Sequence, residues 1–204
     1  MYTVEDDEEM VIIDGVYYSK DKTILLDNDD ESIKNVNIID GVIEIEDFAF
    51  AGCKNLETIE LPDSLETIDA FAFKGCVALK KVKLPDSLME LGHDAFKGCT
   101  SLTSLKIPKY VTNIAKSLVA NCPNLEVLYI PSTITEFSKG CFLDSSFKEI
   151  RVYGGELSKG AKISLASALK ADRYLEKVSS DTYIKTKADG VDVKIIQNDV
   201  EPQL

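Results

Sequence analysis

The chain has 204 residues, of which 45% are hydrophobic and 28% are charged, with 11 glycines and 6 prolines. This composition is typical of a globular protein and excludes collagen, low-complexity disorder and a bare coiled coil. The formal net charge is −12, but residues 1–32 alone carry 11 acidic and 2 basic residues. The rest of the chain is nearly neutral and has no run rich in Lys or Arg, which disfavours nucleic acid as a partner.

The first segment, residues 1–32, is predicted to be an acidic tail followed by a hairpin cap. Apolar residues alternate on both sides of Asp14-Gly15, a dipeptide that favours a tight β-hairpin. We expect this hairpin to shield the edge of the first repeat strand. The run from Asp27 to Glu31 could gather carboxylates around calcium, but it lacks the glycine and distal glutamate of an EF-hand, so a solvated acidic loop is favoured.

Residues 33–153 are organised as repeats of 23 residues. Cysteines recur at this interval at Cys53, Cys76, Cys99 and Cys122, and columns of Leu, Ile, Pro and Phe keep the same register. A fixed period of this length predicts a solenoid in which each unit buries its apolar face against its neighbours. The sequence contains about five units plus a closing strand.

The unit reads Leu-x-x-Ile-x-Leu-Pro-x-x-Leu-x-x-Ile-x-x-x-Ala-Phe-x-x-Cys-x-x, and it is clearest in two stretches: LPDSLETIDAFAFKGCVALKKVKLP and LPDSLMELGHDAFKGCTSLTSLKIP. These strings resemble the BspA-type leucine-rich repeats of bacteria. The resemblance implies an α/β-type leucine-rich-repeat solenoid, and it implies surface attachment or recognition of a host matrix or surface protein. It covers residues 33–153 and does not extend to the flanks.

Each unit is predicted to contribute one short parallel strand, because Leu-x-x-Ile-x-Leu alternates apolar residues as a half-buried strand does. The Ala-Phe stretch is expected to return on the convex side in short helical or irregular structure, with Phe packed between coils. The strand residues between the buried ones then line a concave face, where solenoids bind partners.

The concave face is predicted to carry four basic and two acidic side chains, and it contains the candidate contact residues. By register, Lys83 is expected to neighbour Lys106, a like-charge pair that an anionic partner would relieve. Val127 and Tyr129 add apolar surface beside it, and Tyr is enriched at interface hot spots. The predicted partner-binding residues are Lys81, Lys83, Lys106, Val127, Tyr129 and Arg151. An ordinary solvated sheet face is the alternative interpretation.

Residues 154–204 are predicted to form a helix and a hairpin that cap the C-terminal end. From about Ile163 to Val178, Leu165, Ala168, Ala171, Leu175 and Val178 fall on one helical stripe. A second Asp-Gly hairpin follows in TYIKTKADGVDVKII. A small partner-binding appendage is the alternative to a cap.

The sequence offers no convergent catalytic set, so we predict a protein that is not an enzyme and has no cofactor or metal site. Zinc sites need closely spaced cysteines, whereas here the column cysteines lie a full repeat apart. Stacked coils would place neighbouring cysteine Cα atoms ~5 Å apart, which permits disulfides, but buried free thiols are favoured, with Cys141 also in the core. His93 is the single histidine and is expected to be a solvated turn residue.

The predicted function is therefore a non-catalytic protein-binding module, expected to be monomeric, that acts in adhesion or recognition; a cytoplasmic protein–protein scaffold is the alternative. No apolar run approaches the ~18 residues of a membrane span. The N-terminus is acidic where a signal peptide is basic and then apolar. If Met1 is the native start the location is cytoplasmic; if the chain is a fragment, the resemblance implies the cell surface or secretion.

Overall fold

The computed structural model describes residues 10–145, 148–169, 176–179, 182–188 and 191–197. Its central part contains two columns of short strands, whereas the sequence predicted one strand per repeat and therefore one column. The second column arises because the second apolar motif of each unit, Leu-x-x-Ile, also forms a strand. The first column comprises β4 (Asn35–Asn37), β6 (Thr58–Glu60), β9 (Ser104–Lys106), β11 (Val127–Pro131) and β13 (Glu149–Tyr153). The second comprises β5 (Glu44–Ile45), β7 (Thr67–Ile68), β8 (Glu90–Leu91), β10 (Asn113–Ile114) and β12 (Glu136–Phe137).

Strands within each column pair in parallel, as predicted. In the first column β4 pairs with β6, and β9, β11 and β13 pair in that order. In the second column β5, β7 and β8 pair in series, and β10 pairs with β12. We call the sheets built on these columns the first sheet and the second sheet.

The core lies between the two columns and is made of the repeating apolar positions. In β6 and β9 the central residue alone is buried, which is the alternation that the sequence predicted. The rings of Phe50, Phe73 and Phe96 stack face to face, with centroids 5.5 and 5.3 Å apart. A continuous aromatic column therefore runs through three successive units.

The cysteines are buried and free, as expected. Cys76 Sγ donates a hydrogen bond to the carbonyl of Phe50 at 3.1 Å, and Cys99 Sγ donates to the carbonyl of Phe73 at 3.2 Å. Burial raises the pKa of Cys122 to about 11, so this thiol is protonated at neutral pH. The thiols of Cys76 and Cys99 thus link their coils to the preceding coils through thiol-to-carbonyl hydrogen bonds.

The Ala-Phe segments of the described units form turns and no helix, so the irregular alternative is the one observed. Each turn uses two left-handed backbone positions. One falls on Gly52, Gly75, Gly98, Asn121 and Asp144, and the other falls on Phe48, Phe71, Asp94, Ser117 and Gly140. Gly, Asn and Asp adopt this conformation at low cost, whereas a bulky aromatic residue does so rarely.

The predicted N-terminal hairpin forms between β1 (Val11–Ile13) and β2 (Val16–Tyr18), with positive φ at both Asp14 and Gly15. It continues antiparallel into β3 (Ile24–Asn28), which pairs in parallel with β5. The hairpin therefore extends the second sheet, whereas the sequence led us to expect it at the first strand of the concave face.

The C-terminal helix α1 (Lys159–Ala168) is shorter than the predicted stripe. Leu165 and Ala168 are buried as expected, but Val178 lies in strand β14 (Glu176–Ser179), while Ala171 and Leu175 fall outside the described residues. β14 pairs antiparallel with β15 (Thr182–Ala188), and the hydrogen bonds of this pairing stabilise a strand where the apolar spacing predicted a helix.

The two columns end differently at the C-terminal side. The predicted second hairpin forms between β15 and β16 (Val191–Gln197), and β16 pairs in parallel with β13, which continues the first sheet. The second column meets α1 instead: the Ser164 hydroxyl accepts from the Phe137 N–H at 2.8 Å and donates to the Phe137 carbonyl at 3.1 Å. One serine side chain thereby satisfies the edge groups that a further strand would have bonded.

Candidate functional site

The outer face of the first sheet carries two rows of side chains across β9, β11 and β13. Lys106, Tyr129 and Arg151 are register partners in one row, and Ser104, Val127 and Glu149 are register partners in the other. Since parallel strands lie ~4.8 Å apart, each row places its side chains in direct contact range. The structure therefore brings four predicted contact residues together: Lys106, Val127, Tyr129 and Arg151.

Lys81 and Lys83 are exposed as predicted, but residues 81–83 form no strand. The expected pairing of Lys83 with Lys106 on adjacent strands is therefore wrong, and the first sheet is interrupted between β6 and β9. The physical reason lies in the local sequence, Lys80-Lys81-Val82-Lys83. Lysine is depleted in strands, and like charges on neighbouring strands disfavour pairing.

Arg151 is held in place by two neighbours. Its Nη2 lies 2.7 Å from Glu149 Oε2, and its guanidinium carbon lies 5.8 Å from the Tyr129 ring centroid. The hydrogen bond that Arg151 donates to the Glu149 carboxylate raises the pKa of Arg151. The ion pair offsets much of the positive charge of Arg151, so the positive potential of this face comes mainly from its lysines.

Tyr153, at the end of β13, is buried beside Lys106, and the sequence analysis did not single it out. Its register partner is Pro131, so it occupies the repeat position that carries proline in the other units. Its hydroxyl donates to the Ile107 carbonyl at 2.5 Å, and Lys106 Nζ lies 5.6 Å from its ring centroid. The replacement of proline by tyrosine at this position is the sequence signal that could have found it.

The other candidate residues from the sequence interact with residues near them in their own loops and turns. Asp30 of the acidic loop accepts hydrogen bonds from the backbone N–H and hydroxyl of Ser32, and these lower its pKa. His93 is exposed in a turn, as expected; its Nδ1 lies 3.1 Å from Asp94 Oδ2, and its ring meets Phe71 edge-on at 4.7 Å. Within the described ranges, no three His, Cys, Asp or Glu side chains group as metal ligands would.

A second surface, which the sequence analysis missed, lies on the outer face of β5, β7 and β8. Asp69, directly after β7, is partly buried near Glu44, Asp47 and Glu90, and it shares a hydrogen bond with Glu44. Desolvation and these like charges raise the pKa of Asp69 to about 6. The signal in the sequence is that the outward position before the last residue of the Leu-x-x-Ile motif is Glu44 and Glu90 in units two repeats apart, and Asp69 follows the motif in the unit between them.

Replacing Asp69 with asparagine is expected to raise the free energy of unfolding at pH 8 by about 1 kcal/mol, after allowance for solvent screening. The folded chain holds the Asp69 proton more tightly than the unfolded chain, so its stability falls as pH rises from about 4 through about 6. The gain from Asp69→Asn should therefore shrink between pH 8 and pH 5. Urea unfolding followed by circular dichroism at both pH values measures it.

The control is Asp63→Asn, which removes an exposed carboxylate from a turn away from this group. It should change stability little at either pH. If Asp69→Asn raised the free energy of unfolding equally at pH 5 and pH 8, the raised pKa of Asp69 would be contradicted.

The two parallel strand columns and the repeating buried positions define a leucine-rich-repeat solenoid of about six turns. A family model described as the BspA type leucine rich repeat region matches residues 28–148 in six copies. The chain belongs to this family, which confirms the resemblance found in the sequence. Leucine-rich-repeat proteins of this kind are generally non-enzymatic protein-interaction modules.

Solved bacterial structures share the fold. The pneumococcal vaccine antigen PcpA aligns with a TM-score of 0.67 and 30% identity, covering 76% of this chain and 38% of that one. A leucine-rich repeat protein from Eubacterium ventriosum aligns with a TM-score of 0.63 and 25% identity, covering 76% and 45%. A Treponema pallidum leucine-rich repeat protein, at 22% identity and a TM-score of 0.52, matches in fold alone, covering 75% of this chain and 92% of that one.

The chain thus spans less than half the length of the first two solved relatives. No curated protein matches the sequence significantly. In the part of the chain that the structure describes, no helix is both long and apolar enough to cross a membrane.

Proposed function

We propose that the chain is a non-catalytic module that binds an acidic protein partner through the outer face of the first sheet, in adhesion or recognition. The observation that carries this proposal is the register row of Lys106, Tyr129 and Arg151 on three paired strands. It places a tyrosine and an arginine, residue types that are enriched at protein interfaces, beside a lysine that adds positive charge.

The lysines of this face supply the charge that would steer the partner. Lys81 and Lys83 are exposed and have no ion-pair partner among the described residues, although the chain as a whole is strongly acidic. A positive strip of this kind attracts an acidic surface and raises the association rate. Tyr129, half-buried beside Arg151, would provide the anchoring contact.

The role in adhesion or recognition is supported by the family and by the solved relative PcpA, which is described as a pneumococcal vaccine antigen. A host matrix or surface protein is the proposed class of partner. The interrupted strand at 81–83 is compatible with this role, because a segment outside the hydrogen-bonded sheet can adjust to a partner.

The proposal is tested by binding of the chain to a panel of immobilised matrix proteins, with fractionated bacterial lysate as a second arm. The variant Lys83→Glu, Lys106→Glu, Tyr129→Ala is compared with the parent after thermal melts show that both fold. We expect at least a ~10-fold loss of affinity in the variant, and weaker parent binding as salt rises.

A matched control reverses two lysines elsewhere, Lys116→Glu with Lys139→Glu. Both side chains are exposed and lie next to strands of the second column. The control carries the same charge change as the double lysine reversal and should keep most of the affinity. Equal losses in both variants, or none in either, would remove the first sheet as the binding surface.

A further inference from the structure

The second sheet carries an exposed apolar patch on its outer face. Met89 is 56% exposed, Phe48 is 50% exposed and Ile43 is 41% exposed. Ile43 and Met89 occupy the same position of units two repeats apart, and backbone hydrogen bonds of 2.8 Å link them through Glu66, from the Glu66 N–H to the Ile43 carbonyl and from the Met89 N–H to the Glu66 carbonyl. Glu66 occupies this position in the unit between them and is exposed, so the row is apolar at both ends and acidic in the middle.

An aromatic pair lies in the turns that follow β5 and β7. The rings of Phe48 and Phe71 stack with centroids 4.6 Å apart and an interplanar angle of 13°. Lys74 Nζ lies 4.9 Å from the Phe71 ring centroid, so the stack already holds one ammonium group of the chain itself. The half-exposed Phe48 ring offers a second aromatic surface of the same kind.

Four carboxylates also lie at these strands and turns, and none of them pairs with a described Lys or Arg. Glu44 and Glu90 lie in β5 and β8, Asp69 follows β7, and Asp47 directly precedes Phe48. No ion pair joins any of these four to a Lys or Arg among the described residues, whereas five Lys or Arg side chains elsewhere in the described residues lie within 4 Å of a carboxylate. This face therefore combines exposed apolar and aromatic side chains with carboxylates that form no such ion pair, and the nearby Lys74 Nζ lies over the Phe71 ring.

We propose that this face of the second sheet, over β5, β7 and β8, docks an arginine- or lysine-rich segment of a partner protein. The aliphatic stems of the basic residues would pack on Ile43, Phe48 and Met89, and their charged ends would meet the Glu44 and Glu90 carboxylates. This surface is separate from the basic first sheet, so the chain would present two faces that select partners of opposite charge.

The probe is a fluorescein-labelled nonapeptide that alternates arginine with leucine, and a glutamate-for-arginine peptide is its counterpart. Fluorescence anisotropy measures binding to the full chain at low and moderate salt. The parent should bind the arginine peptide, with affinity falling as salt rises. Any binding of the glutamate peptide belongs to the basic first sheet and should not change in the variants of the second sheet.

Two variants locate the site, after far-ultraviolet circular dichroism shows that they fold. Glu44→Gln with Glu90→Gln should lower affinity ~10-fold through lost charge, and Phe48→Ala should lower it ~5-fold through lost aromatic contact. The control, Glu60→Gln with Glu126→Gln, removes two exposed carboxylates at the first sheet and should stay within ~2-fold of the parent.

Equal weakening by both glutamine pairs, with no effect of Phe48→Ala, would show attraction to an acidic chain in general and would overturn the proposal. Self-association of the parent that Phe48→Ala abolishes, without peptide binding, would assign the face to a second copy and would equally overturn it. Since the control pair lies at the first sheet, failure here leaves the matrix-protein experiment on that sheet unaffected.

Discussion

Replacing Gly92 with alanine is expected to destabilise the chain by about 3 kcal/mol. A Cβ at this position would lie 2.4 Å from the backbone nitrogen of Ala70 and 2.4 Å from the carbonyl carbon of Asp69. Both contacts are with backbone atoms of the previous coil, so no side-chain rotation relieves them. The coil after β8 must move away from the coil after β7, which would weaken the hydrogen bond from the Gly92 N–H to the Ile68 carbonyl, now 2.8 Å.

The measurement is the midpoint of thermal and urea unfolding, where this loss corresponds to a fall of about 10 °C for a chain of this size. Gly160→Ala provides the matched control, because Gly160 lies in α1 and the nearest atom to an added Cβ there is the Ser158 hydroxyl oxygen at 3.9 Å. That substitution should leave stability unchanged or raise it by up to ~1 kcal/mol. Similar losses for both variants would show that close coil packing is not the reason for glycine at position 92.

Replacing Phe73 with alanine is expected to cost about 3 to 5 kcal/mol. Its ring is fully buried and lies between the rings of Phe50 and Phe96, at 5.5 and 5.3 Å. Removing it leaves a cavity bounded by two rings that cannot collapse together, because each is fixed in its own coil. The Phe73 carbonyl also accepts the hydrogen bond from Cys99, so backbone adjustment around a cavity would disturb the thiol column.

Phe48→Ala is the comparison for this loss, since it removes the same side chain from the exposed aromatic pair. We expect a cost of about 1 kcal/mol there, because the lost stacking is partly replaced by hydration. Urea unfolding of the two variants gives the difference directly. If the exposed substitution cost as much as the buried one, the buried stack would not be the main stabilising element of the repeat core.

Both predictions depend on contacts between coils, and this shows where sequence reasoning is sufficient. The 23-residue interval of Cys53, Cys76 and Cys99 identified the solenoid, and the buried positions of the first column followed from alternation alone. These features are local and recur in successive units, so the same pattern is read several times along the chain. The family match over residues 28–148 rests on the same columns.

The candidate site was predicted only in part. Lys106, Tyr129 and Arg151 are neighbours because the register of successive repeats is fixed by their length, which the sequence supplies. The interruption at Lys81 and Lys83 was missed because the apolar alternation continues there and predicts a strand, whereas the low strand propensity of lysine opposes one. The Arg151–Glu149 ion pair, at 2.7 Å, was missed because it depends on the rotamers of two side chains on one face of a strand, which residue spacing does not determine.

The sequence by itself determined the repeat period, the parallel stacking, the buried cysteine and phenylalanine columns and the basic face, because side-chain polarity at a fixed interval decides which atoms leave water. Only the tertiary structure decided the second strand column, the sheet that each terminal hairpin extends and the serine that closes the edge at Phe137. It also decided that Phe48, Phe71 and the unpaired carboxylates share one surface. These features depend on the path of the backbone between coils, and a linear pattern of residues does not fix that path.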